Sequence, residues 1–217
     1  MDRASIVNAI RRPSSAALAG LVFSTTLGTV VVLLHSASPP NLTDAGQWVD
    51  DESRLHAMSV ALGLLPFTGI AFLWFIAVAR AMLGSREDRF FETAFIGSGL
   101  LFVATLFVSA AALAGVVTLV EAGASPAGLA TYSWVFAAAL LGEFGTRMAA
   151  IFTLAMTTAA WHAASIPRWL ALSGYATGLV LLITPPLPTL MQFAFPAWVA
   201  AVSLRVLFAR SRTTQPA

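Results

Sequence analysis

Long apolar runs alternate with short polar breaks along the whole chain. The runs at residues 16–34, 55–79, 94–120, 167–184 and 187–209 each supply about the 20 apolar residues that a helix needs to cross a hydrocarbon core. Between 127 and 162 the chain is also mostly apolar, but Glu143 and Arg147 interrupt it. Split at Gly142-Glu143-Phe144-Gly145, that region gives two pieces of about 15 residues, each short for a span. Read instead as one span at 143–163, it leaves 127–142 as an outer helix or a re-entrant piece.

Arginine placement chooses between these readings. With six spans and a cytoplasmic N-terminus, the inner side receives Arg3, Arg11, Arg12, Arg80, Arg86, Arg89, Arg168, Arg210 and Arg212, with Arg205 near the same end. The outer side keeps Arg54 beside Asp44, Asp50, Asp51, Glu52 and Glu121. That asymmetry is a positive-inside pattern, which a seventh span would destroy. The expected fold is therefore all-α, an integral membrane bundle of six transmembrane helices with both termini cytoplasmic. A tail at 1–15 precedes the bundle of 16–210, and a tail at 211–217 follows it.

Composition agrees with a bilayer setting. The chain has 217 residues, 58% hydrophobic and 10% charged, with a mean hydropathy of +0.82. A water-soluble core of this size could not hide so much apolar surface. All 12 basic residues are Arg, and they cluster beside apolar runs instead of forming a stripe, so nucleic acid is not an expected partner. There is no Cys, which excludes disulfides, thiolate nucleophiles and Cys-ligated metals. The first run is too long for a signal-peptide core and lacks a good cleavage pattern, so it reads as a retained span. Asn41-Leu42-Thr43 matches a glycosylation sequon and is read as chance.

Small residues mark helix seams. Ala16, Gly20, Ser24 and Gly28 recur every four residues in the first run, and Gly174 and Gly178 form a GxxxG pair. Such faces pack helices within a bundle and can equally join a homo- or hetero-oligomer. Hydroxyls also align: Ser98, Thr105 and Ser109 in one run, Ser173, Thr177 and Thr184 in another. Pro66 and Pro196 interrupt their runs, each removing a backbone hydrogen bond. Pro167 suits a first helical turn, Ser53 is placed to cap the second helix, and 184–188 is a proline-rich outer turn.

The chemistry-bearing candidates are few. Glu143 and Arg147, four apart, share a helical face and can pair. A charged residue in the membrane usually points into a bundle or wet cavity, so the pair is either an outer polar site or a self-neutralised bridge that lets the helix insert. His35 and His56 fall near the outer surface, and Gln192 is a buried polar candidate. No HExxH-type spacing accompanies the histidines, so neither metal nor cofactor is expected. Gly97-Ser98-Gly99 lacks the preceding glycine of a serine-protease motif, and no phosphate loop or dinucleotide fingerprint is present, so an intramembrane enzyme ranks last.

The stretch 147–198, with Pro167-Arg168-Trp169-Leu170, Gly174-Tyr175 and Phe195-Pro196-Ala197-Trp198, resembles small uncharacterised polytopic membrane proteins of high-GC actinobacteria. The resemblance covers the C-terminal third. It implies a multi-pass protein of a bacterial cell membrane and carries no assigned activity or site residue. Two function classes follow from the residues: a transport-like or sensing bundle with an outer polar site, and a non-catalytic subunit or scaffold that binds other helices.

Overall fold

The computed structural model describes residues 13–38, 49–83, 89–183 and 192–211. The proline-rich turn at 184–188, the loop at 39–48, and Arg3, Arg11, Arg12, Arg86 and Arg212 lie outside these residues. Six helices account for nearly all of the rest, and no strand occurs among the described residues. They are α1 (Pro13–Ala37), α2 (Glu52–Leu83), α3 (Arg89–Glu121), α4 (Ala127–His162), α5 (Arg168–Ile183) and α6 (Ala194–Ser211). Four are long and apolar enough to cross a membrane, at Ala17–Ala37, Glu52–Arg80, Thr93–Glu121 and Ala127–His162. The apolar parts of α5 and α6, Arg168–Ile183 and Ala194–Phe208, are shorter.

Helix α4 departs from the sequence reading. Residues 127–142 form neither a separate outer helix nor a re-entrant piece; they are the first half of one helix of 36 residues. The α-helix of Ala127–Ala139 passes through a π-helical turn at Leu140–Gly145 and resumes at Thr146–His162. The two glycines that looked like a break instead sit within a widened turn that keeps the chain helical. At 1.5 Å per residue, α4 is about 54 Å long, well beyond a hydrocarbon thickness of about 30 Å.

Helix starts follow local chemistry. Asp51, and not Ser53, caps α2. Its Oδ1 accepts the backbone N–H of Ser53 at 3.0 Å and of Arg54 at 3.3 Å, and the Ser53 hydroxyl at 2.7 Å. A carboxylate here meets the orphan N–H groups and the positive end of the helix dipole, which a serine inside the first turn cannot do. The Ser53 hydroxyl, then the Arg54 N–H, hold the Asp51 carboxyl below its ordinary value of 3.8. A lowered pKa contributes stability that is present above that ordinary value and lost as pH falls through the lowered one. Amide exchange at Ser53 and Arg54 should therefore lose protection on acidification below about pH 4, and Asp51→Ala should remove that pH dependence.

The prolines divide. Helix α2 continues through Pro66. Pro196 coincides with a real interruption: Gln192 is helical, Phe193 is a turn, and α6 begins at Ala194. The Pro196 ring excludes a bond to the Gln192 carbonyl four residues back, and the next N–H, from Ala197, bonds to the Phe193 carbonyl at 2.9 Å. Pro167 precedes α5, where its carbonyl accepts the N–H groups of Leu170 and Ala171.

The core is aromatic. Phe72 is fully buried, and its ring centroid lies 4.4 Å from Phe23, 4.9 Å from Phe152, 5.4 Å from Phe102 and 5.7 Å from Phe195. One α2 side chain thereby ties α1, α3, α4 and α6 together. A smaller cluster of Ala37, Val49, Met58, Leu113, Val116, Val117, Ala130 and Ala137 closes the end where α1 finishes, α2 begins, α3 finishes and α4 begins.

The small-residue spacing marks seams inside this chain. A Cβ at Gly20 would strike the Ser203 hydroxyl of α6 and the Phe75 ring of α2. At Gly174 it would strike Thr157 of α4 and Trp198 of α6, and at Gly178 it would strike Leu154. These faces are thus occupied by other helices of the same protomer. Among the aligned hydroxyls, Ser98, Thr105 and Ser173 donate to carbonyls of their own helices, those of Ala94, Phe102 and Leu170.

Candidate functional site

The π-helical turn organises the chemistry of α4. A π-turn inserts one extra residue, so its backbone bonds run to the carbonyl five residues back, as the Thr146 N–H does to Leu141. Side chains add further donors to the same turn. The Thr146 hydroxyl donates to the Leu141 carbonyl at 3.1 Å. Arg147 Nη1 donates to the Glu143 carbonyl at 2.6 Å and also to Glu143 Oε2 at 2.6 Å. Gly145 lets the turn approach α3, where an added Cβ would lie 2.9 Å from Thr105 Oγ1.

The sequence-derived pair is therefore formed, and Arg147 also donates to a carbonyl inside the π-turn. Its side chains remain 39% and 44% exposed for Arg147 and Glu143. Enclosure in the bundle, the usual setting of an intramembrane charge, is not what holds this pair. Because Arg147 serves two acceptors and Glu143 only one donor, the two residues should not be equivalent. Arg147→Met should destabilise more than Glu143→Gln, by roughly 1 kcal/mol, since it removes two donor contacts and leaves a carboxylate without its cation. The double variant should cost less than the sum of the singles. Detergent-unfolding midpoints of the four proteins check this, and equal single effects would contradict it.

Beside the π-turn, on a neighbouring face of α4, lies a cavity of about 500 Å³. Its walls come from every helix. Leu27, Val30, Val31 and Leu34 line it from α1, Phe102, Leu106 and Leu113 from α3, and Ala137, Leu141, Gly142, Thr146 and Ala149 from α4. Leu65, Leu181 and Phe195 complete it from α2, α5 and α6. Polar groups are few: His35 and Ser38 at the end of α1, Trp134 near the start of α4, Thr146 and Gln192. No Arg, Asp or Glu appears among its described lining residues.

The structure thus sorts the sequence-derived candidates. His35 and Gln192, 157 positions apart in the chain, both line one cavity, but at its exposed edge: Gln192 is exposed and not the buried polar group that its place in an apolar run suggests. Glu143 and Arg147 are outside its lining, although Gly142 and Thr146 of the same segment form part of its wall. His56 is exposed on α2 and does not join it. Among the described residues, no three His, Asp or Glu side chains gather in a way that could hold a metal ion.

What the sequence did not reveal is the cavity itself and the contribution of Gly142, Thr146 and Trp134 to it. The only available signal was the glycine-flanked charge in 142–147, which reads equally as a helix break. Among the described residues, the buried hydroxyls of Ser109, Thr157 and Ser203 have no hydrogen-bond partner. Thr157 and Ser203 face the glycines Gly174 and Gly20 at the two seams, where close approach leaves no room for a donor or acceptor. No protein family, curated protein or solved structure matches this chain.

Proposed function

We propose that this chain is a multi-pass protein of a bacterial cytoplasmic membrane, with both termini on the arginine-rich side, that senses or carries a small molecule bound in the outer half of its bundle. The single observation that carries the reading is the cavity of about 500 Å³. That size lies within the range of about 300–1,000 Å³ typical of small-molecule sites, as does a mainly apolar lining with a few polar groups. Helix α4 supplies a reason for the half of the membrane chosen. If Trp161 marks the inner interface, Glu143 stands about 27 Å further along the helix, close to the opposite boundary of a hydrocarbon core about 30 Å thick. There a half-exposed ion pair is far less costly than at mid-membrane.

The scaffold reading is the weaker of the two, because Gly20, Gly174 and Gly178 already pack against helices of this chain. Two measurements test the proposal. Reporter fusions after Ser125 and after Ala217 should report opposite sides, outer and then inner; any other result removes the assigned topology. Native mass spectrometry of the full chain, extracted mildly, should show a bound small molecule. That mass should be reduced by Gly142→Leu, where an added Cβ meets nothing within 4 Å, and by Val31→Trp on the opposite wall. A wild type that neither retains nor rebinds any small molecule overturns the binding role.

A further inference from the structure

We infer that the cavity takes a single extended hydrocarbon chain with a small, uncharged, hydrogen-bonding head, as in a long-chain alcohol. This rests on the proposed binding role and names the ligand class.

Shape is the first argument. The lining runs from Leu27 to Ser38 on α1 and from Trp134 to Ala149 on α4. At 1.5 Å per residue, those stretches span about 17 and 22 Å. A volume of about 500 Å³ open to the centre of a water-sized sphere, spread over that length, corresponds to a passage about 8 Å wide. A helix with its side chains is about 10–12 Å across, so a partner helix does not fit. A methylene chain, whose neighbours approach to about 4.0–4.5 Å, does fit.

Polarity sets the orientation. Helices α1 and α3 run in opposite directions to α2 and α4, since the end of α1, the start of α2, the end of α3 and the start of α4 share one cluster. His35, Ser38 and Trp134 therefore belong to that end of the cavity, and Leu27, Phe102 and Ala149 to the deep end. Between them, the Thr146 hydroxyl is engaged by the Leu141 carbonyl. The head belongs beside His35 and Ser38, with the tail running toward Phe102 and Phe195.

Charge restricts the head. No acidic side chain is among the described lining residues to hold a cation, and no arginine to hold an anion. Arg54 reaches the Ser38 carbonyl at 3.5 Å, but its charge is matched by Asp51 at 3.2 Å. Among the described lining residues a charged head meets no partner of opposite charge, which is costly. An uncharged hydroxyl needs only the hydrogen bonds the mouth offers.

The test uses the full chain in mild detergent with a photoreactive diazirine analogue of hexadecanol. Cross-links should fall on peptides containing residues 27–38, 102–113 and 134–149. Unlabelled hexadecanol should compete, whereas palmitate and hexadecylammonium should do so roughly tenfold less well. Gly142→Leu or Val31→Trp should lower labelling by roughly the same factor. Equal competition by a charged chain overturns the assignment of the ligand class while leaving the binding role intact. Cross-links spread over outward positions such as Trp74 and Leu101, unchanged by either substitution, would mean ordinary boundary lipid and overturn it too. Competition on the wild type decides the matter even where a substituted chain does not fold.

Discussion

Phe72→Ala should be among the most damaging single substitutions, lowering stability by about 2–3 kcal/mol. In water-soluble proteins a buried Phe→Ala change costs about 3–5 kcal/mol, a sum of lost transfer energy and a cavity term. In a bilayer the transfer part shrinks, because lipid tails are as apolar as the core and hydrophobic burial no longer favours the inside. The packing part survives. Phe72 is 0% exposed, and its ring meets Phe23, Phe152, Phe102 and Phe195 with centroids 4.4–5.7 Å apart. Those rings come from four other helices, so no single neighbour can move into the space without leaving another contact. Phe67→Ala on the same helix is the control, since Phe67 is 64% exposed. Reversible unfolding in mixed micelles should separate the two by at least about 1.5 kcal/mol. Equal midpoints would mean that the aromatic cluster adds little, and that the bundle is held by its seams alone.

Much of this architecture is legible in the sequence, and the part that is not has a physical reason. Spanning helices announce themselves because the bilayer demands about 20 apolar residues in a row, and α1, α2 and α3 fall where the apolar runs place them. The seams at Gly20, Gly174 and Gly178 are legible too, because in lipid only small residues let backbones come close. The aromatic core is not legible. When every face of a helix is apolar, the inward face carries no periodic mark, and Phe72, buried, cannot be told from Phe67, exposed. The continuity of α4 is hidden for another reason. Gly142-Glu143-Phe144-Gly145 has the composition of a break, and only the extra residue of a π-turn, with Arg147 bonded to the Glu143 carbonyl, keeps it helical. The chain shows that two charges pair, but not that the pairing holds a backbone irregularity beside a cavity. His35 and Gln192 meet through tertiary packing between helices at opposite ends of the chain, for which no local signal exists. The sequence points to Ser53 as the second-helix cap, two residues beyond Asp51, because serine and aspartate both suit that position and composition alone does not separate them.

The seam between α4, α5 and α6 provides the converse test, in which one added methyl group should be too much. Gly174→Ala is expected to cost about 1–3 kcal/mol. The new Cβ would strike the Thr157 hydroxyl and lie 2.8 Å from Nε1 and 3.0 Å from Cε2 of Trp198. Neither neighbour can give way easily: Thr157 is fully buried on α4, and the Trp198 indole, 4% exposed, directs its N–H toward the Leu170 carbonyl. Gly63→Ala on α2 makes the same chemical change with nothing within 4 Å of the added atom, and should be neutral or stabilising by about 0.5–1 kcal/mol. The opposite signs matter more than either magnitude, because intrinsic helix propensity favours alanine at both sites. Adding Thr157→Ala to Gly174→Ala should recover part of the loss, by removing the nearest obstruction and with it a buried hydroxyl that has no partner. If Gly174→Ala and Gly63→Ala behaved alike, close packing of α5 on α4 and α6 could not be what fixes this half of the bundle. A wall of the cavity would lose its anchor with it, because Leu181 on α5 and Phe195 on α6 are held in place by the same seam.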